Sequence, residues 1–129
     1  MSRVVVDGEA TGEIVVLDRP LSFWGGYHPE TGVIIDVAHP QHGVSLAGRI
    51  VVMPHGRGSS SSSAVLAEAL RLGYGPAAMV LGHPDQIVIT GVLVARRLYG
   101  IECPVLVGSV PVGARGVWRV GREGLVPVD

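Results

Sequence analysis

The chain has 129 residues, of which 47% are apolar and 16% charged, and its net charge is −1. This length fits one domain, residues 1–129, with a buried core, and the near-neutral charge leaves no basic surface for nucleic acid. All ten basic residues are arginine, which excludes Schiff-base chemistry and a lysine-type nucleotide phosphate loop.

The apolar composition also predicts that a partner covers part of the surface. The single cysteine, Cys103, excludes an internal disulfide, and it excludes an iron–sulfur cluster or cysteine-type zinc site built from this chain alone. Asp7 and Glu9 stand where a signal peptide would need an apolar run, and no stretch approaches the roughly 20 apolar residues of a membrane span. We therefore expect a cytoplasmic chain without a membrane contact.

The first half of the chain is predicted to consist mainly of strands and loops. Apolar runs predict strands at residues 3–6, 12–17, 33–36 and 50–53, with a turn at Asp7 and Gly8 after the first. Residues 23–29 and 38–45 are rich in Gly, Pro, His or aromatic side chains and predict loops.

The second half is predicted to alternate between strands and helices. Helical spacing predicts one helix over residues 60–72 and a second over 86–99, which Asp85 opens and Gly100 ends. Strands are expected at residues 77–81 and 105–107, and a closing hairpin at 117–120 and 125–128. This order predicts an α/β domain with a barrel- or sandwich-like β core, two main helices and functional loops at one edge.

A glycine- and serine-rich turn precedes the first long helix. Gly56, Arg57 and Gly58 are followed by five serines, from Ser59 to Ser63. The first N–H groups of a helix have no intrahelical partner and the helix dipole adds partial positive charge, so this turn can hold a carboxylate or a phosphate. The same field would stabilise a serine alkoxide that acts as a base.

Simpler interpretations of these polar residues explain less of the pattern. Serine is a favoured N-cap residue, but a cap does not require the glycines on both sides of Arg57. The serine run lacks the second glycine of a Gly-x-Ser-x-Gly hydrolase elbow. The five histidines are scattered in loops near Pro or Gly, and no helix presents His39 and His42 on one face. We therefore predict no metal site among them: His28, His39, His42, His55 and His83.

Three linked motifs resemble the small subunit, or swivel domain, of the aconitase X family. They are FWGG at residues 23–26, PETG at 29–32 with Asp36, and GRGSS at 56–60. The resemblance covers nearly the whole chain and implies a swivelling β/β/α-type domain. It also implies a heterodimeric dehydratase whose large subunit carries an iron–sulfur cluster that acts as a Lewis acid on the leaving hydroxyl.

The resemblance assigns roles within the serine turn. Ser59 occupies the position of the serine that takes the substrate proton in the aconitase superfamily. We expect Arg57, Gly58, Ser60 and Ser61 to bind the substrate carboxylate, and we expect residues 23–27 to lie near this turn or at the subunit interface.

The resemblance leaves two substrates open. Family members act on cis-3-hydroxy-L-proline or on 5-phosphomevalonate, and the unbroken serine run after Arg57 favours the hydroxyproline type. An alternative of another class is a non-catalytic anion-binding or interaction module that uses the same turn.

Overall fold

A computed structural model of the chain describes residues 2–58 and 60–128, without the side chains of Ser2 and Arg57. Ser59, the predicted base, therefore lies outside the described residues. The elements in chain order are β1 (Ser2–Val6), β2 (Ala10–Val16), β3 (Leu21–Ser22), α1 (Phe23–Gly26), β4 (Ile50–Met53), β5 (Gly56–Arg57), α2 (Ser60–Leu72), β6 (Ala78–Leu81), α3 (Gln86–Tyr99), β7 (Val105–Gly108), β8 (Val117–Gly121) and β9 (Gly124–Pro127).

Seven strands form one curled sheet in the order β1-β7-β6-β4-β2-β8-β9. The four central strands, β7, β6, β4 and β2, run parallel, and the antiparallel strands β1 and β8–β9 flank them. The strands at the two ends of this order, β1 and β9, come close to each other, so the sheet curls into a half-barrel. The predicted α/β fold with a barrel-like β core and two main helices is confirmed.

The two faces of the central strands enter different apolar clusters because side chains alternate across a strand. Val51 and Met53 of β4 pack toward the helices, together with Leu66 of α2. Ile50 and Val52 point to the opposite face of the sheet and belong to a second cluster, which includes Trp118. Every residue of β4 and β6 is buried, as is typical of parallel strands with both faces covered.

The two long helices begin and end where the sequence predicts. The Asp85 carboxylate accepts hydrogen bonds from the N–H groups of Ile87 and Val88 at the start of α3, and Gly100 ends α3 in the left-handed conformation with φ +67°. The helices α2 and α3 pack closely at Gly91, where an added Cβ would lie 2.8 Å from the carbonyl oxygen of Ser63. Within the described residues, no helix is long and apolar enough to cross a membrane.

The structure corrects three details of the sequence-based prediction. Residues 33–36 form no strand and make only the isolated bridges Val33–Ser45 and Tyr27–Ile34, because the chain folds back on itself in this loop. Residues 23–26, predicted as a loop, form one turn of distorted helix in which Trp24 and Gly25 have non-helical backbone angles. The strands β3 and β5 were not predicted, because each has only two residues and so shows no alternating pattern.

Candidate functional site

Both long helices begin at the same edge of the sheet. The parallel strands β4 and β6 pair in register from Ile50–Ala78 to Met53–Leu81, and each leads through a short loop into a helix, α2 or α3. The N-termini of the two helices therefore lie at the carboxyl edge of the sheet. The Asp85 carboxylate already caps the start of α3, so the start of α2 is the part of this edge whose N–H groups and dipole favour an added anion.

The small sheet β3–β5 brings the aromatic-glycine loop to this edge. Leu21 pairs with Gly56 and Ser22 with Arg57. The Trp24 N–H donates to Ser62 Oγ over 3.3 Å, and the hydroxyls of Ser22 and Ser62 lie 3.3 Å apart. The prediction that residues 23–27 lie near the serine turn is confirmed.

The two glycines around Arg57 are required by close contacts. A Cβ on Gly56 would lie 2.9 Å from Asp85 Oδ2 and 2.9 Å from Val88 Cγ2. A Cβ on Gly58, whose φ is +110°, would lie 2.5 Å from Ser62 Oγ. Only glycine fits both positions, which explains the spacing of the Gly-Arg-Gly sequence.

Asp85 joins the start of α3 to the turn that leads into α2. Its Oδ2 accepts from the Gly56 N–H over 2.8 Å, while its Oδ1 accepts from the N–H groups of Ile87 (2.9 Å) and Val88 (3.2 Å). One carboxylate thus fixes both the helix start and the backbone just before Arg57. The sequence predicts that Asp85 opens α3, but its hydrogen bond to Gly56, 29 residues away, is visible only in the folded structure.

The first turn of α2 has an exposed and a buried side. Ser60 and Ser61 are exposed, as is Gly58, whereas Ser62 and Ser63 are buried. The Ser63 hydroxyl donates to the carbonyl of Ile87 over 2.6 Å. Sequence analysis did not separate these serines, although counting back along the helix from the apolar residues of α2 places Ser62 and Ser63 on the inner face.

Three of the predicted site residues lie on the exposed side of the turn into α2. Gly58, Ser60 and Ser61 lie together at the carboxyl edge, and the backbone of Arg57 lies beside them in β5. Ser59 stands between Gly58 and Ser60 in the sequence and falls outside the described residues.

His39 and Cys103 are buried side chains. Buried His39 accepts from the Gln41 N–H at Nδ1 (3.0 Å), so its Nε2 donates to the carbonyl of Arg19 (3.1 Å). Cys103 is buried, and desolvation raises the pKa of its thiol to about 12. Among residues 2–58 and 60–128, no group of three His, Cys, Asp or Glu side chains is placed to hold a metal ion.

A cavity of about 690 Å³ lies away from this edge. Its lining includes Asp7, Arg96, Glu102 and Arg122. Asp7 follows the end of β1, which pairs with the start of β7, so the cavity lies at the amino ends of the parallel strands. It is separate from the serine turn, which the carboxyl ends of these strands carry.

Comparison with known proteins agrees with this architecture. A family model of the aconitase X swivel domain matches residues 1–114. The crystal structure of Thermococcus kodakaraensis aconitase X in its holo form superimposes with a TM-score of 0.86 at 33% identity, covering 99% of this chain and 96% of that one.

Two relatives differ in how much of their length the chain covers. Cis-3-hydroxy-L-proline dehydratase of Pseudomonas aeruginosa is 43% identical over 103 residues, which cover 80% of this chain and 18% of that protein. The phosphomevalonate dehydratase small subunit of Thermococcus onnurineus is 39% identical over 129 residues, which cover 98% of this chain and 95% of that protein. The chain thus spans less than a fifth of one relative and nearly all of the other.

A curled sheet covered by two helices, with a glycine-serine turn at the edge where both helices begin, defines a swivel-type domain. The chain belongs to the aconitase X family and matches the swivel domain of that family.

Proposed function

We propose that this chain is the small subunit of an aconitase X-type dehydratase, which removes water from a small hydroxy-carboxylate in the cytoplasm. The observation that carries the proposal is the carboxyl edge, where a Gly-Arg-Gly-Ser turn enters α2 beside the N-terminus of α3. The N-terminus of α2 and the adjacent Arg57 make this edge attractive to a carboxylate, whereas the N-terminus of α3 is already capped by Asp85.

The proposed chemistry begins with the removal of a proton. The Ser59 alkoxide takes the proton from the carbon next to the substrate carboxylate, the electron pair of that C–H bond forms the double bond, and the β-hydroxyl leaves as water after accepting a proton. Arg57 and the N–H groups of Gly58, Ser60 and Ser61 hold the carboxylate and stabilise the charge that develops on it.

The residues of this chain do not fit an iron–sulfur cluster. Such clusters are held by several cysteine thiolates, and the one cysteine in the sequence, Cys103, is buried. We therefore assign the cluster to a large partner subunit. The long hydroxyproline dehydratases support this assignment, since four fifths of their length lies outside the part that matches this chain.

We propose cis-3-hydroxy-L-proline as the substrate, supported by the 43% identity to a hydroxyproline dehydratase. The alternative is 5-phosphomevalonate, which is favoured by the match along 95% of an archaeal small subunit. Both compounds carry a hydroxyl β to a carboxylate, so the same turn serves either reaction.

The test is reconstitution with the large subunit. The chain, the large subunit and their mixture are assayed under anaerobic conditions with each of the two substrates, and the products are followed by NMR. We expect turnover of one substrate by the mixture and none by this chain alone. Turnover by this chain without a partner would contradict the two-subunit proposal, and a complex inactive on both substrates would favour a non-catalytic anion-binding module.

A further inference from the structure

One large aromatic side chain is exposed beside the serine turn. The side chain of Trp24 is 63% exposed, whereas its neighbours Phe23 and Tyr27 are buried and meet edge to face at 5.1 Å between ring centroids. Tryptophan usually buries much of its surface, so an exposed indole next to a functional site calls for an explanation.

The backbone of Trp24 is held in place on both sides. The Ser22 hydroxyl donates to the carbonyl of Trp24 over 2.9 Å, and the N–H of Trp24 donates to Ser62 Oγ over 3.3 Å. The residue leaves the helical conformation (φ −85°, ψ 118°) and is followed by Gly25 at φ +80°. The backbone is thus fixed while the indole extends toward solvent, as in a preorganised binding residue.

We propose that Trp24 is a docking residue for the large, cluster-bearing subunit, an inference that rests on the proposed function. The backbone N–H of Trp24 donates to Ser62 in the first turn of α2, and β3, which ends just before this loop, pairs with β5. The loop that carries the indole therefore borders the carboxyl edge where we propose that the substrate is held. A partner that brings its cluster to that substrate must cover this border. Tryptophan is also enriched among the residues that dominate binding energy at protein interfaces.

Two other occupants explain the indole less well. A second copy of this chain seated on Trp24 would cover the serine turn of both copies and close the site to substrate. The substrate itself is small and anionic, and it is held by N–H groups and a guanidinium rather than by an apolar ring. The large subunit covers Trp24 and completes the site at the same time.

The two tryptophans of the chain allow a direct test. The other, Trp118, is only 9% exposed and can be replaced by Phe, which leaves Trp24 as the sole indole of this chain. The emission of the large subunit alone is recorded separately and subtracted. The large subunit is added without its cluster, so that the cluster cannot quench the emission. We expect a blue shift of the Trp24 emission that saturates at one large subunit per chain.

The affinity for the large subunit is measured separately, with variants of the chain that retain Trp118. By calorimetry, Trp24→Ala is expected to weaken binding of the large subunit by at least about tenfold. The matched control is Leu98→Ala, which truncates a side chain that is 65% exposed near the far end of α3; it is expected to bind as the wild type does.

Each contrary outcome has a distinct meaning. A complex that forms without the shift, or that Trp24→Ala forms with unchanged affinity, overturns the docking proposal and leaves the proposed function standing. An emission shift caused by substrate alone, or by raising the concentration of this chain alone, replaces the large subunit with another occupant. Failure of the wild-type chain to bind the large subunit overturns the docking proposal and the proposed function together.

Discussion

Gly58→Ala tests whether the turn before Ser59 depends on the contact with Ser62. The substitution acts in two ways, through the backbone and through the added methyl group. Gly58 has φ +110°, a conformation that L-residues rarely adopt, and the methyl carbon would lie 2.5 Å from Ser62 Oγ and 2.8 Å from Ser22 Oγ. The two hydroxyls must move apart to admit it, which breaks their contact and the bond from the Trp24 N–H.

The expected loss of stability is the sum of these two effects. A left-handed conformation costs a non-glycine residue about 1–2 kcal/mol. The contact between the Ser22 and Ser62 hydroxyls and the bond from the Trp24 N–H to Ser62 each contribute about 1 kcal/mol. We therefore expect Gly58→Ala to lower the free energy of unfolding by about 3–4 kcal/mol.

A second glycine supplies the control for the backbone effect. Gly43 has φ +88° and nothing within 4 Å of an added Cβ, so Gly43→Ala should lower stability by the backbone effect alone, about 1–2 kcal/mol. Urea unfolding followed by circular dichroism measures both variants. The expected gap of about 2 kcal/mol corresponds to roughly 6–10 °C in Tm for a domain of this size. Equal losses in the two variants would refute the role of the Ser62 contact.

Three further changes probe other parts of the structure. Asp85→Asn keeps a side-chain oxygen for the start of α3 but turns its NH2 group toward the Gly56 N–H. Hydrogen exchange of the Gly56 amide should therefore accelerate, while the first amides of α3 stay protected. Unchanged hydrogen exchange at Gly56 would contradict the hydrogen bond between Gly56 and Asp85. Burial raises the pKa of the Cys103 thiol to about 12. Cys103 should therefore react with a thiol reagent at pH 8 only after denaturant is added. Fast labelling of the native chain would show that the Cys103 side chain is not buried. The hydrogen bond from Arg96 lowers the pKa of the Asp7 carboxyl below its usual 3.8, so the pair stabilises the folded chain above that pH and less as the pH falls below it. The difference in Tm between wild type and Arg96→Ala should therefore be present at pH 7 and shrink below pH 3.8, and a difference that persisted at low pH would require another cause.

The long helices were predictable because their ends carry local signals. Asp85 and Gly100 bound α3 through a side-chain cap and a left-handed residue, which act within a few residues of the helix. Strand pairing has no such local signal. The neighbouring strands β1 and β2 do not pair with each other, since β1 pairs with β7 and β2 with β4 and β8. These partners follow from the assembly of the whole sheet.

The sequence predicts which residues form the candidate site but only part of their arrangement in space. The anion-binding character of the serine turn follows from its glycines, its arginine and the helix that it begins. The links that hold it, from Ser62 to Trp24 and from Asp85 to Gly56, join residues 38 and 29 positions apart. Contacts at such separations depend on the pairing of β3 with β5, two strands too short to leave a pattern in the sequence.

The most direct test of the account is the turnover number of the complex that contains Ser59→Ala. Replacing a cap-position serine with alanine lowers stability by about 1 kcal/mol, so folding and assembly with the large subunit should persist, as size-exclusion chromatography can verify. Removal of the proton acceptor should lower kcat by several orders of magnitude, whereas Ser63→Ala, whose hydroxyl bonds the carbonyl of Ile87, should leave kcat near that of the wild type. A Ser59→Ala complex with near-wild-type kcat would contradict the assignment of Ser59 as the base and return the turn to a plain helix cap.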